Sequence, residues 1–296
     1  MGKIIATKIA MQKKSITQDV SKVVLDQNGI VGDIHAGFGN KQISLLTQEI
    51  AALGKASVNF IVDDLDLTKV NVLDRLCIGE AFLEITQIGK RCAAKNCESC
   101  DLIEQCKVPR ECVYARVLYG GEVKSGDEFK YLKRRLKILV ITLSDRAFHG
   151  EYEDLSGPLA CNLINNYFMQ QNWQVDLASS ILPDEKTQLR EALKNAITNQ
   201  IDIIFTLGGT GVGARDITPE VVTSMCDKII PGIMEYIRMK YGAMIPSALL
   251  SRSVAGIINN TQIYALPGSV KAVKEYLSEI VKTLKHTVYM LHGIDH

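Results

Sequence analysis

Residues 207–220 read LGGTGVGARDITPE and combine groups that handle phosphate. Gly208, Gly209 and Gly211 allow positive φ and a close backbone approach, and Thr210 adds a hydroxyl beside them. Amides in such a turn form a concave anion site. Asp216 follows at the exit, where a carboxylate can hold Mg²⁺ through oxygen. The stretch is not a G-x-G-x-x-G dinucleotide fingerprint, and no G-K-[ST] follows to make it a Walker A loop. Taken alone, it reads equally well as a tight strand-to-helix turn with no ligand.

Two further segments favour a phosphate-and-metal site. Thr142-Leu143-Ser144-Asp145-Arg146 places hydroxyls, a carboxylate and a guanidinium together, and Leu182-Pro183-Asp184-Glu185 ends in carboxylates. Pro267-Gly268-Ser269 turns into a helix start, a second ready anion site, with Lys271 close by. Each of the first three segments closes an apolar run. In an open parallel sheet, ligands bind beyond the carboxyl ends of the strands.

The elements that must carry these segments alternate. Residues 136–143 are an apolar β-branched run, and Ser156-Gly157-Pro158 opens a helix with Leu159, Leu163, Ile164, Tyr167 and Phe168 on one face. Residues 173–181 read as a strand, 185–198 as a helix and 202–207 as a buried central strand. A last helix begins at Ser269, with apolar residues at helical spacing from Val270 to Leu291. Such βα units predict a parallel-sheet α/β sandwich over 136–296. Lys133-Arg134-Arg135 suits a linker. Upstream, over 1–133, short runs at 3–10, 42–46, 80–88 and 113–118 predict a mostly β domain, with a tight hairpin at Gly120-Gly121 and a helix or two.

The chain has 296 residues, 47% hydrophobic and 23% charged, which suits two globular domains. A net charge of +1 gives no support to a nucleic-acid or membrane-surface role. No apolar run approaches the roughly 20 residues that span a bilayer, and Lys8 breaks the first apolar stretch where a signal peptide would be continuous. The expected location is cytoplasmic. There clustered cysteines point to metal or thiol chemistry before disulfides.

In order and spacing, TLSDRAFHGEYEDLSGP, LPDE, LGGTGVGARDITPE, IPGIMEYIR, ALLSRSVAG and ALPGSVKAVKEY resemble the molybdopterin adenylyltransferases, the family of MogA and the G domain of gephyrin. The resemblance covers about 137–290. It implies a domain that binds molybdopterin and ATP with Mg²⁺, forms a homotrimer and works ahead of a molybdate-insertion enzyme. Asp184 and Asp216 match the family's two functional aspartates, as catalytic and Mg²⁺-holding residues. Phosphoryl-type transfer needs positioning and charge neutralisation, which these residues can supply. The glycine loop would wrap phosphates, and Ser144 and Asp145 would line the same pocket. Ser251 and Arg252 would hold the terminal phosphate of the pterin, a task that suits the arginine fork. Several relatives have two basic residues before the second aspartate, whereas Ala214-Arg215-Asp216 has one. Glu220 reads as an exposed helical carboxylate.

GIVGDIHAGFGNKQISLLTQE, IGEAFLEITQIGKRC and CKVPRECVYARVLYGGEVKSGDEF resemble a MOSC domain, the β-rich module of molybdenum cofactor sulfurases, over about 1–132. That implies pterin cofactor binding or a cysteine persulfide. Cys92, Cys97, Cys100, Cys106 and Cys112 allow three readings: a reactive thiol at Cys106 or Cys92 beside Lys90, Arg91, Lys107 and Arg110; a Zn²⁺ or Fe–S site; or plain loop thiols. Relatives often have Gly at the position of Cys112. Cys77, Cys161 and Cys226 read as core fillers. His35 is either a pterin-pocket residue or a satisfied turn histidine, and Lys41 and Gln42, just before a strand, either contact an anionic cofactor or, the better reading, are solvated surface.

The expected function is Mg²⁺-dependent adenylyl transfer from ATP to molybdopterin. The alternative is a non-catalytic molybdopterin carrier or sulfur-transfer protein. Both Asp184 and Asp216 are needed only by the first.

Overall fold

The computed structural model describes residues 2–12, 17–37, 39–53, 57–89 and 111–294. The chain divides into two compact units, 1–134 and 135–296.

The first unit is built on strands β1 (Gly2–Ile9), β2 (Gln18–Val20), β3 (Lys22–Asp26), β4 (Gly29–Ile30), β5 (Ile43–Thr47), β6 (Phe60–Val62), β7 (Arg75–Ile78), β8 (Ala81–Ile88), β9 (Val113–Tyr119), β10 (Gly121–Lys124) and β11 (Glu128–Leu132). The order β11-β7-β8-β9-β5-β6-β1 closes on itself through β1–β11, giving a seven-stranded barrel with β2 added beside β1. Closure removes the exposed edges that an open sheet would present. Alternate side chains, among them Ile43, Leu45, Phe60, Leu83, Ile85 and Phe129, fill the interior. The short helix α1 (Gln48–Ala51) accompanies the strands.

The hairpin expected at Gly120-Gly121 does not form. β10 pairs instead with β3, in a separate three-stranded sheet completed by β4. Gly120 lies against Leu25, where a Cβ would fall 2.3 Å from the Leu25 carbonyl oxygen. The glycine thus permits the chain to change sheets rather than double back.

The second unit holds β12 (Arg135–Leu143), β13 (Gln174–Leu182), β14 (Ile203–Leu207), β15 (Lys228–Ile229), β16 (Val254–Ile258) and β17 (Thr261–Leu266) in the order β13-β12-β14-β17-β16-β15. β12, β13, β14 and β17 are parallel, and β16 and β15 are antiparallel additions. β14 is buried at every residue, as its continuous apolar sequence requires of a central strand. The helices are α2 (Asp145–Phe148), α3 (Ser156–Gln170), α4 (Lys186–Thr198), α5 (Thr218–Met225), α6 (Pro231–Gly242) and α7 (Val270–Leu291). Leu189 and Leu193 of α4 and Val221 and Val222 of α5 pack on Ile141, Ile204 and Ile263 of the sheet. α3 and α7 pack against each other, and α6 against α7. On α3 the small residues Gly157 and Ala160 are buried together with Ile164 and Phe168, so the inner face is centred one step from the predicted one. On α7 the inner face includes Glu279, which accepts from Lys240 at 2.6 Å and from Lys282 at 2.6 Å.

Candidate active site

Strands β12, β13, β14 and β17 end at Leu143, Leu182, Leu207 and Leu266, on one edge of the sheet. The segments singled out in the sequence all leave from that edge.

At β12, Ser144 caps α2, its Oγ accepting from the Ala147 amide at 3.2 Å. Asp145 and Asp184 then lock the ends of β12 and β13 together. The Asp145 amide donates to Asp184 Oδ2 at 3.2 Å, and the Asp184 amide donates to Asp145 Oδ1 at 3.0 Å. Arg215 completes the group, with Nη2 at 2.5 Å and Nε at 3.1 Å from Asp145 Oδ2. The two carboxyls are pushed in opposite directions. The Arg215 hydrogen bond holds Asp145 below the usual carboxylate range. Burial pushes Asp184 up, and the charge of Asp145 adds to that against the hydrogen bond from the Asp145 amide.

At β14, the loop turns sharply. Gly208 has φ +113°, and a Cβ there would stand 2.3 Å from the Leu143 carbonyl oxygen, so only glycine fits. Thr218, at the start of α5, holds the turn, with Oγ1 donating to the Gly208 carbonyl at 2.9 Å and its amide to the Gly209 carbonyl at 3.0 Å. Asp216 folds back over the loop, and its Oδ2 accepts from the Gly213 amide at 2.7 Å. A Cβ on Gly211 would fall 2.8 Å from that oxygen, so Gly211 makes room for the carboxylate.

Two cavities flank the loop. The first, of about 470 Å³, is bounded by Gly209, Thr210, Gly211 and Asp216, by Ser251, and by Pro267, Gly268 and Ser269 at the start of α7. A 3₁₀ turn over Pro246–Leu250 forms part of its wall. Ser269 Oγ caps α7 by accepting from the Ala272 amide at 3.2 Å, and Ser251 Oγ lies 2.6 Å from Ser253 Oγ. The second cavity, of about 330 Å³, is bounded by Lys186, Gly213, Asp216, Glu220 and Arg252. Asp216 lines both. Ser144, Asp145, Asp184 and Gly208 line neither of these cavities. Asp184 nonetheless faces the loop, with Oδ1 3.4 Å from where a Cβ on Gly209 would sit.

Arg252, expected to hold a phosphate, is engaged with protein. Nε donates to the Gly211 carbonyl at 2.6 Å and Nη2 to the Asp216 carbonyl at 2.8 Å, and Nη1 pairs with Glu220. Among the described residues, no three His, Cys, Asp or Glu side chains gather into a metal cage. Asp184 and Asp216 still suit Mg²⁺. Each keeps Oδ1 without a hydrogen bond among the described residues, and Mg²⁺ takes one or two carboxylates alongside substrate phosphates.

The sequence reading gave no site role to three residues of this edge. Asp154 binds Thr142 Oγ1 at 2.6 Å, the Ser156 amide at 2.9 Å and the Gly157 amide at 3.0 Å, tying β12 to the start of α3. Burial raises its carboxyl, but hydrogen bonds from Gly157, Thr142 and Ser156 outweigh that and hold it below the usual range. Its position two residues before Ser156 is an ordinary helix-start signal. Arg215 and Glu220 carried no local signal, because their partners lie 70 and 32 residues away.

Residues 139–286 match the sequence profile of a family described as a probable molybdopterin binding domain. The chain belongs to this family. The match spans half of the chain and lies within the second unit. A molybdopterin adenylyltransferase of Helicobacter pylori is 36% identical over 159 residues, covering 53% of this chain and 89% of the relative. The molybdenum cofactor synthesis protein cinnamon of Drosophila melanogaster is 38% identical over 153 residues, covering 51% of this chain and 25% of the relative. A solved structure of MogA aligns with a TM-score of 0.48 at 31% identity, covering 52% of this chain and 99% of that one. Among the described residues, no helix is long and apolar enough to cross a membrane.

In the first unit, Cys92, Cys97, Cys100 and Cys106 lie outside the described residues. Cys112 is buried beside Leu46, Val58 and Tyr114. Cys77, Cys161 and Cys226 are half-buried, and burial pushes the Cys226 thiol up to about 11. His35 is a supported turn histidine, with Nδ1 3.0 Å from Asp33 Oδ1. Gln42, expected at the surface, is buried. Its Oε1 accepts from the Val117 amide at 2.8 Å, and its Nε2 donates to the Gln27 carbonyl at 3.0 Å.

Proposed function

We propose that the C-terminal unit is a molybdopterin adenylyltransferase. The terminal phosphate oxygen of molybdopterin attacks the α-phosphorus of ATP. The bond from that phosphorus to the β-phosphate oxygen breaks, and pyrophosphate leaves with the electron pair. The observation that carries this reading is that Asp216 lines both cavities beside the glycine loop. Two phosphorylated substrates can thus meet at one carboxylate, and a carrier of a single ligand has no need of that arrangement.

The residues divide the work. Amides of Gly209, Thr210 and Gly211 and the start of α7 at Gly268 and Ser269 receive phosphate in the first cavity, with Ser251 on its wall. Lys186 offers a positive charge in the second. Asp184 and Asp216 would hold Mg²⁺, which supplies charge neutralisation for the phosphates of the transition state. The Asp145–Arg215 pair fixes the end of β12 against β13 and so orients Asp184.

The same reading includes assembly as a homotrimer in the cytoplasm and delivery of product to a molybdate-insertion enzyme. Exposed apolar side chains on and after α6, including Tyr236, Met239, Leu249 and Leu250, support self-association. For the barrel the proposal is a MOSC-like role, binding the pterin cofactor or carrying sulfur on Cys106 or Cys92. Deleting residues 1–133 would then leave transfer kinetics intact and impair later maturation of the cofactor.

The test is direct. Purified protein with molybdopterin, ATP and Mg²⁺ should release pyrophosphate in step with adenylylated pterin, and chelation of Mg²⁺ should stop both. Tight pterin binding without pyrophosphate release would favour the carrier reading.

A further inference from the structure

The geometry assigns Arg252 the role of a buckle that closes the glycine loop around Asp216, with Glu220 as its anchor. This inference rests on the transferase reading and deepens it.

The loop between β14 and α5 contains no regular secondary structure from Gly208 to Ile217, and four of its residues are glycine. Left to itself, such a segment samples many conformations. Arg252 binds it at both ends. Its amide donates to the Thr210 carbonyl at 2.8 Å, and its Nε donates to the Gly211 carbonyl at 2.6 Å, near the loop entry. Its Nη2 donates to the Asp216 carbonyl at 2.8 Å, near the exit. Its Nη1 pairs with Glu220 on α5, the helix the loop leads into. One planar guanidinium therefore spans the loop from entry to exit, and Glu220 fixes the direction of the fork.

The consequence falls on Asp216. Its main chain is held by Arg252, and its carboxylate is turned over Gly211 by the Gly213 amide. These contacts set where the carboxylate stands between the two cavities. Misplacing a catalytic group by about 1 Å can cost on the order of 10²-fold in rate. Arg252 is accordingly a positioning residue, and its free donor capacity for a ligand phosphate is small. Lysine cannot replace it, because a point charge on a flexible stem does not reproduce three divergent hydrogen bonds.

The experiment compares the full chain with Arg252→Lys, Glu220→Gln and the double variant. Amide hydrogen exchange of residues 208–217 is followed together with steady-state kinetics in molybdopterin, ATP and Mg²⁺. The buckle predicts faster loop exchange in all three variants. It predicts a kcat loss of about 10²-fold for Arg252→Lys, a KM for molybdopterin within about twofold of wild type, and a higher Mg²⁺ concentration at half-saturation. Glu220→Gln should lose less, and the double variant should be no worse than Arg252→Lys, because both act through one contact. The inference is overturned if Arg252→Lys retains kcat and raises the KM for molybdopterin, which marks a direct phosphate ligand, or if loop exchange does not change. Loop exchange is read without turnover. A wild type that makes no adenylylated pterin would therefore sink the transferase reading and leave the buckle to be judged by exchange alone.

Discussion

The barrel and the sheet edge of the second unit both contain acidic residues held by hydrogen bonds, but the bonds are distributed differently. In the barrel, buried Asp33 accepts from the Ala10 amide at 2.8 Å, the His35 amide at 2.8 Å and Asn59 Nδ2 at 2.9 Å. Buried Glu84 accepts from Arg116 at 2.6 Å and from Arg75 at 3.2 Å. Both oxygens of each carboxylate are occupied, as burial of a charge demands. At the sheet edge, Asp184 and Asp216 are fixed through one oxygen each, and the other has no partner among the described residues. Carboxylates with every oxygen occupied brace a fold. Carboxylates anchored by one oxygen beside the glycine loop, as Asp184 is at Gly209 and Asp216 is between the two cavities, can meet a ligand.

That contrast can be broken in four places. Asp216→Ala should lower adenylyl transfer by about 10²–10³-fold, the effect of removing one preorganised electrostatic group, with little change in thermal midpoint. Asp33→Ala should do the reverse. The Ala10 amide is left buried without its acceptor and Asn59 Nδ2 keeps only the Lys8 carbonyl at 3.5 Å, so the barrel should lose about 2–3 kcal/mol in a denaturant titration while transfer persists. Asp154→Ala removes the tie between β12 and α3 and should cost about 1–2 kcal/mol, read as a lower unfolding midpoint of the second unit.

The smallest effect sharpens the contrast most. Asp184 has its carboxyl pushed up by burial. Ionisation is then harder in the folded state than in the unfolded one, and the folded state is penalised above its raised value. The penalty fades as pH falls from that raised value toward the unfolded value of about 3.9, and is gone below it. Asp184→Asn should thus raise the thermal midpoint slightly at neutral pH, lose that advantage near about pH 4, and abolish transfer. Stability gained on losing activity is the mark of a functional residue. Scanning calorimetry at several pH values reads it.

Much of the second unit was legible because its signals are local. The apolar run of β14, the Ser269 cap of α7 and the glycines after Leu207 each declare themselves within a few residues, and the structure places them as expected. What was not legible depended on distant partners. Arg252 reads as a phosphate ligand in sequence, and nothing local announces the carbonyls of Gly211 and Asp216 that it binds from 41 and 36 residues away. Gly120-Gly121 reads as a hairpin, yet Leu25 determines that the chain changes sheets there. Gln42 reads as surface, yet Val117 draws it inside. A polar side chain reveals its type in sequence but not its partner, and the partner decides between bracing and chemistry.

The central claim is that chemistry resides at the glycine-loop edge and that the barrel's carboxylates are structural. The most direct measurement is the rate of adenylylated molybdopterin formation by the full chain carrying Asp216→Ala, set beside the full chain carrying Asp33→Ala and the wild type. Product from the wild type and from the folded Asp33 variant, with a loss of at least about 10²-fold in the Asp216 variant, is the predicted result. Equal rates in the wild type and the Asp216 variant would contradict it.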